Sequence, residues 1–336
     1  MTQPPAPTPA ESEAALAKLA GHIVTTPVRP WIPDTGRSRP PEGASLHLKL
    51  ELFQRTGTFK VRGALMNLLD APPDVVERGV TAVSAGNHAI AVAYAAKSVG
   101  TTAKVVILDS ANPGRIARCR SYGADIEFAS DGAAGFARAQ QLAEEEGRLF
   151  VHPFDGVSTI VGTSTLGLEM LDQIDDLDAI VVPVGGGGIL AGVSAFVKAA
   201  RPECAVYGVE PTGADSMRRS LDAGSCVAIE SVRTIADSLG APYAEPYSFS
   251  VIRDHADDVV LVTDGEILRA MRTLYSDAKL AVEPASAAPF AAVCGPLRDR
   301  LAGKRVALLV SGSNIDIATF ARYVAEENQE AVEKVR

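Results

Sequence analysis

The stretch DAIVVPVGGGGILAGVSAFV, residues 178–197, decides how the rest of the chain is read. An apolar run, four consecutive glycines and a second apolar run follow one another. Residues 179–197 carry no charge and are long enough to cross a bilayer. Pro183 and Gly185–Gly188 break any regular segment in its middle, however, and favour a buried strand, a glycine loop and a buried helix.

The same order recurs along the chain. VTAVS (80–84) precedes the alanine-rich NHAIAVAYAAKSVG, and AKVVIL (103–108) precedes NPGRIARCRSYG. AVYGVEP (205–211), DVVLVTD (258–264) and RVALLVSG (305–312) add further apolar runs. Strand, loop and helix in alternation predict an α/β fold of mainly parallel twisted sheets flanked by helices, with ligands at the carboxyl ends of the strands. SLHLKLEL (45–52) differs: Leu46, Leu48, Leu50 and Leu52 alternate, which predicts a strand with one buried side. The Pro-rich start, within residues 1–15, reads as a flexible tail. Thr8, Pro9 and Glu11 nevertheless have the spacing of a capped helix start.

Composition narrows the function. Of 336 residues, 47% are hydrophobic, enough for a sizeable core. A net charge of -9 argues against a polyanionic partner, and 5% aromatic residues leave little for base stacking, so nucleic acid is not expected. Cys119, Cys204, Cys226 and Cys294 are widely spaced and form no CxxC pair, so free thiols in a reducing cytoplasm are expected. No basic, apolar leader opens the chain.

Four loops carry residues suited to chemistry. Gly185, Gly186, Gly187 and Gly188 follow a strand and open a helix, where backbone amides and the helix N-terminus favour an anion. A tight glycine turn without a ligand is the alternative. SAGNHA (84–89) stands at another such junction, where Ser84, Gly86 and nearby amides form a second anion cradle and Asn87 is suited to capping the helix. His88 reads first as a structural histidine. In SGSNID (311–316), Ser311 either presents a hydroxyl to a heterocycle or caps a helix. In FQRTGTFKVRGA (53–64), Lys60 lies among small residues, with Arg55 and Arg62 nearby in sequence. Desolvation or a neighbouring cation lowers a lysine pKa and makes Schiff-base chemistry possible. Alone, Lys60 reads as a surface charge; with the other three loops, it suggests one cleft for a phosphorylated aldehyde.

FQRTGTFKVRGA, SAGNHA, VGGGGILAG, VEPTGAD, TIADSLG, VEPASA and SGSNID occur in the order found in the serine/threonine dehydratase family, and the chain resembles these fold-type II pyridoxal-phosphate enzymes from about residue 20 to 325. The resemblance implies a two-lobe, tryptophan synthase beta-like fold. Residues 1–77 and 156–336 would form the large cofactor-binding lobe, and residues 78–155 a small mobile one. It implies a homodimer acting on a small amino acid. Lys60 would carry pyridoxal 5'-phosphate, Phe59 would pack near its ring, and Asn87 would meet its phenolic oxygen. Gly185, Gly186, Gly187 and Gly188 would hold the phosphate, Ser311 would face the ring nitrogen, and Glu283 would line the cavity. Ser84, Ala85, Gly86 and the amides beside them would receive the substrate carboxylate, with His88 beside them.

The reaction implied is dehydration of a β-hydroxy-α-amino acid to a 2-oxo acid and ammonia. Related racemases place a serine before GNH as an acid on the second face; Ala85 has no such proton, which disfavours racemisation. β-Replacement with a second nucleophile stays open, as does a non-enzymatic protein holding a nucleotide in the glycine loop. Ser158, in the loop after HPFDGV, and Ser238, where glycine is usual, depart from the family near the substrate side. These departures leave serine, threonine, 3-phenylserine and 3-hydroxyaspartate open. Glu210 and Ala214 match the family's Mg2+-type divalent-cation site. Its third position is Ser216, so Asp215 substitutes only if the loop shifts.

Overall fold

The computed structural model describes residues 3–33, 36, 38–84, 86–109 and 111–325. Along the chain, α1 (Pro9–Leu19) leads into β1 (Val28–Pro30), β2 (Ser45–Leu50), α2 (Lys60–Asp70) and the short α3 (Pro73–Glu77). The middle segment holds β3 (Val80–Ser84), α4 (Asn87–Val99), β4 (Ala103–Leu108), α5 (Pro113–Ser121), β5 (Asp125–Ala129), α6 (Gly132–Glu146) and β6 (Leu149–Phe150). Then follow α7 (Val157–Gln173), β7 (Ala179–Pro183), α8 (Gly188–Ala200), β8 (Ala205–Pro211), α9 (Ser216–Ala223) and α10 (Pro246–His255). The chain continues through β9 (Asp258–Val262), α11 (Asp264–Ala278), α12 (Pro284–Cys294), β10 (Arg305–Val310) and α13 (Ile317–Ala325).

The strands form two sheets. A six-stranded sheet has the order β1-β2-β10-β7-β8-β9, antiparallel only between β1 and β2. A four-stranded parallel sheet has the order β5-β4-β3-β6. The expected α/β architecture is therefore present. Residues 179–197 form β7, a glycine turn and α8, and among the described residues no helix is long and apolar enough to cross a membrane.

Two local expectations change. β2 is not a half-exposed strand: it pairs along its length with β10, and Lys49 on its second face is as buried as Leu48. The stretch expected as a tail is docked from Pro5 onward. Tyr247 donates its hydroxyl to the Pro5 carbonyl, Ser12 shares a hydrogen bond of 2.7 Å with Ser164, and Ala15 and Leu19 are buried. The predicted capping box is formed: Glu11 N donates to Thr8 Oγ1, and Thr8 N donates to the Glu11 carboxylate.

Lys49 is tolerated inside because it joins a buried charge network. Its ammonium donates to Glu169 Oε2 at 2.6 Å, to Gln173 and to the Thr26 carbonyl. Arg62 donates to both oxygens of Glu51, at 2.8 and 2.9 Å, and to both of Glu169, at 2.8 and 3.0 Å. Two cations thus face two carboxylates, and all four side chains are nearly inaccessible. Helices α2 and α7 come close enough to allow this because Gly162 has no side chain. A Cβ there would lie 2.6 Å from the Arg62 carbonyl oxygen.

Removing one member strands a buried charge, which costs about 3–5 kcal/mol. Arg62→Ala should therefore lose stability of that order in urea unfolding at neutral pH. Arg219→Ala, at an exposed pair with Asp215, should lose less than about 1 kcal/mol. Equal, small losses for the two variants would refute a structural role for the network.

Candidate active site

A cavity of about 470 Å³ opens between the two sheets. Lys60 enters it from the first turn of α2, and its loop is tied to the end of β10. Phe59 N donates to the Ser311 carbonyl at 3.1 Å, and Ser313 N donates to the Gly57 carbonyl. The Lys60 ammonium donates to the Pro153 carbonyl at 2.6 Å and lies 5.2 Å from the centroid of the Phe59 ring. Burial lowers the Lys60 pKa from its ordinary 10.5 to about 8, partly opposed by the carboxylate of Glu283. Arg55 and Arg62, the cations adjacent in sequence, are not the cause: Arg55 is exposed, and Arg62 is committed to Glu51 and Glu169.

The glycine loop lines the same cavity. Gly187 has φ +98°, a left-handed conformation that side chains rarely adopt. A Cβ at Gly186 would lie 2.1 Å from the Phe154 ring, so that position also requires glycine. Among the described residues, no protein acceptor meets the amides of Gly185, Gly186 and Gly187. Gly188 is the first residue of α8, where the amide is free by position. Donors without protein acceptors at the positive end of a helix suit a phosphate.

Asn87 does not cap α4. It is the first helical residue, and its Nδ2 donates to both Glu283 oxygens, at 2.8 and 3.0 Å, and to Ser238 Oγ at 3.1 Å. Its Oδ1 accepts from Asn314 Nδ2 at 2.8 Å. Glu283 is buried, which raises its pKa. Ser311 Oγ pairs with Ser286 Oγ at 3.0 Å. Gly86 N donates to Ser84 Oγ at 2.9 Å. His88 shares a hydrogen bond through Nε2 with the Val151 carbonyl, and burial and Lys60 hold its pKa down near 3. It is a neutral structural histidine.

Phe59, Lys60, Ser84, Gly86, Asn87, His88, the four glycines, Ser238, Glu283 and Ser311 thus line one cavity. Ser158, in the first turn of α7, does not line it, because the chain leaves the cavity wall at Phe154. Ala85 lies outside the described residues. Glu210, Ala214 and Asp215 lie elsewhere. Glu210 accepts from the Met217 and Arg218 amides at the start of α9, and Asp215 pairs with Arg219. Burial and Asp215 push Glu210 up to about 8.

Sequence reasoning missed Arg115. From α5 it donates to Asp237 Oδ2 at 2.5 Å and to the Asn314 carbonyl at 3.0 Å, and it lies 3.6 Å from Glu283. Its partners are about 120 to 200 residues away in the chain, so no local pattern marked it. Phe136, Phe154 and Tyr243, which also line the cavity, were missed for the same reason.

A lysine of lowered pKa, a glycine loop of free amides and a hydroxyl in one cavity define a fold-type II pyridoxal-phosphate enzyme. The chain belongs to the pyridoxal-phosphate dependent enzyme family, whose pattern matches residues 19–312. It is 50% identical to the phenylserine dehydratase of Ralstonia pickettii over 308 residues, 92% of this chain and 93% of that protein. The crystal structure of a T.th. threonine deaminase superposes with a TM-score of 0.86 at 38% identity, covering 93% of this chain and 99% of that one. Maize serine racemase superposes with a TM-score of 0.87 at 32% identity, covering 97% and 99%. These relatives bear out the reaction class, pyridoxal-phosphate-dependent dehydration.

The Lys60 ammonium costs stability while it is protonated in its buried place. That cost is present below pH 8 and is relieved as pH rises from 8 to 10.5. In cofactor-free protein, acylation of Lys60 followed by mass spectrometry should titrate near pH 8. Glu283→Gln removes the charge that raises this pKa and should shift the midpoint lower. A midpoint above pH 10 in the native protein would contradict the burial argument.

Proposed function

We propose that this dehydratase acts on a β-hydroxy-α-amino acid bearing an aromatic β-substituent, of the 3-phenylserine class. One observation carries the reading of the site: Lys60, with a pKa near 8, opens into the same cavity as the free amides of Gly185–Gly188. The named activity of the Ralstonia pickettii relative and the apolar lining of part of the cavity support the substrate class.

In this reading Lys60 would carry pyridoxal 5'-phosphate, the amides of Gly185–Gly188 would hold its phosphate, and Phe59 would pack by the ring. Ser311, fixed by Ser286, offers the ring nitrogen a hydroxyl instead of a carboxylate. Asn87, held by Glu283 and Asn314, would meet the ring's phenolic oxygen. Pyridoxal phosphate supplies an electrophilic carbon for amines and a conjugated ring that stabilises negative charge at Cα. Lys60 would be placed to take the Cα proton as a neutral amine, a form that its burial favours. Ser84, Gly86 and the amides that open α4 receive the substrate carboxylate. Ala85 brings no second-face acid, which favours elimination over racemisation.

Residues 78–155 would move as the small lobe against 1–77 and 156–336, excluding water. The homodimer is inferred from the family resemblance, and the cytoplasm from the four free cysteines. The proposal includes no divalent cation, because Glu210 gives both oxygens to α9 and Asp215 is paired with Arg219.

Purified protein supplied with pyridoxal phosphate should take on the visible absorption of the lysine-bound cofactor. It should release 2-oxo acid and ammonia from 3-phenylserine without racemising recovered substrate. Lys60→Ala should lose the absorption and lower turnover by ~10³-fold or more. A native protein that cannot take up the cofactor would sink the reading.

A further inference from the structure

We infer that Phe136, with Val83, Leu108, Ala133, Phe154 and Tyr243, forms an aryl subsite that receives the substrate's β-substituent as an uncharged ring. The inference rests on the dehydratase reading and extends it to the residues that set specificity.

The cavity is divided by polarity. Its charged and hydrogen-bonding residues form one connected group: Asn87 with Glu283 and Ser238, and Arg115 with Glu283 and Asp237. Beyond that group, Lys60, Ser84, Ser311 and the glycine loop, the lining is mostly carbon. Phe136 lies early in α6, packed against the cluster of Val83, Val106, Ala129, Ala139 and Leu142.

A series of rings runs from there. Phe136 meets Phe150 edge-on at 6.3 Å and lies 5.6 Å from His152. His152 meets Phe154 edge-on at 4.7 Å, and Phe154 meets Tyr243 at 6.1 Å. Burial and Lys60 hold His152 near 4, so the imidazole is neutral at working pH. An aryl substituent can extend this series with the edge-to-face geometry that aromatic rings prefer.

Charge weighs against the acidic candidate, and burial against the small ones. Among the described residues, the two cations lining the cavity are engaged, Lys60 with the Pro153 carbonyl and Arg115 with Asp237. A β-carboxylate against Phe136 would be desolvated without a counter-charge. Serine or threonine would leave the apolar wall uncovered and forgo its burial. Of the side chains the sequence left open, the phenyl ring matches this wall, and the carboxylate of 3-hydroxyaspartate does not.

Two measurements on the cofactor-loaded enzyme test this. Calorimetry of the wild type uses L-phenylalanine, L-alanine and L-aspartate, which lack the β-hydroxyl. Phenylalanine should bind at least about tenfold tighter than alanine, and aspartate weaker than alanine. In kinetics, Phe136→Ala should lower the 3-phenylserine-to-threonine ratio of kcat/KM by about 10- to 100-fold. Phe136→Leu, which keeps apolar volume, should lower it less. Equal wild-type binding of phenylalanine and alanine would overturn the subsite, as would an unchanged ratio in active Phe136→Ala. The wild-type binding decides the matter if the variant does not fold. Selective phenylalanine binding with no 2-oxo acid from any β-hydroxy amino acid would sink the reaction instead and leave the subsite standing.

Discussion

The position of Lys60 depends on Arg62. Two residues along a helix are about 200° apart around its axis, so the two side chains leave α2 on nearly opposite faces. Arg62 is held on the inner face by Glu51, which directly follows β2, and by Glu169 from α7. With that face fixed by charge-assisted bonds in specific directions, Lys60 is presented to the cavity. An apolar residue in place of Arg62 would bury equally well, but it would not specify the rotation of α2. Lys49 completes the balance, since Arg62 alone would leave two buried carboxylates facing one cation.

A second polar group works across the cavity. Glu283 enters from the start of α12 in the six-stranded sheet's half, and Asn87 and Arg115 enter from helices of the four-stranded half. Their mutual bonds join the two sheets at the cofactor's expected edge, while Asp237 draws the rest of the Arg115 charge. The cation is consumed within the protein, so the far end of the cavity stays apolar. One set of contacts thus orients Asn87 and denies a counter-charge to an acidic substrate side chain.

The sheets were legible because central strands write their burial directly into sequence. AIVVP and VALLV are continuous apolar runs, and both are buried. β5 and β6 were missed because DIEFA is an edge strand with exposed positions and β6 has two residues. The site was legible where chemistry demands unusual local sequence: a glycine run, a lysine among small residues, a serine after a strand. Arg115, Phe136 and the Lys49–Glu169–Arg62–Glu51 network were not, because each acts through residues far along the chain. Their local sequence looks like ordinary helix or strand surface. Lys49 occupies the alternating position that solvent would normally claim, and its burial follows only once Glu169 has been brought to it.

Lys60 is governed by three influences of different range. Burial is the largest and lowers its pKa; the Glu283 carboxylate opposes it. The third is its place in the first turn of α2, where the helix dipole disfavours a positive charge. Burial and the dipole follow from the backbone path of FQRTGTFKVRGA and cannot be changed without moving the loop. Glu283 is a side chain, and its own pKa is raised by its burial. Protonating Glu283 removes the opposing charge and makes the lysine a weaker base but more fully neutral. The carboxylate's charge state therefore adjusts how much of the amine is free to act, within the limit set by burial, while the fold sets where it stands.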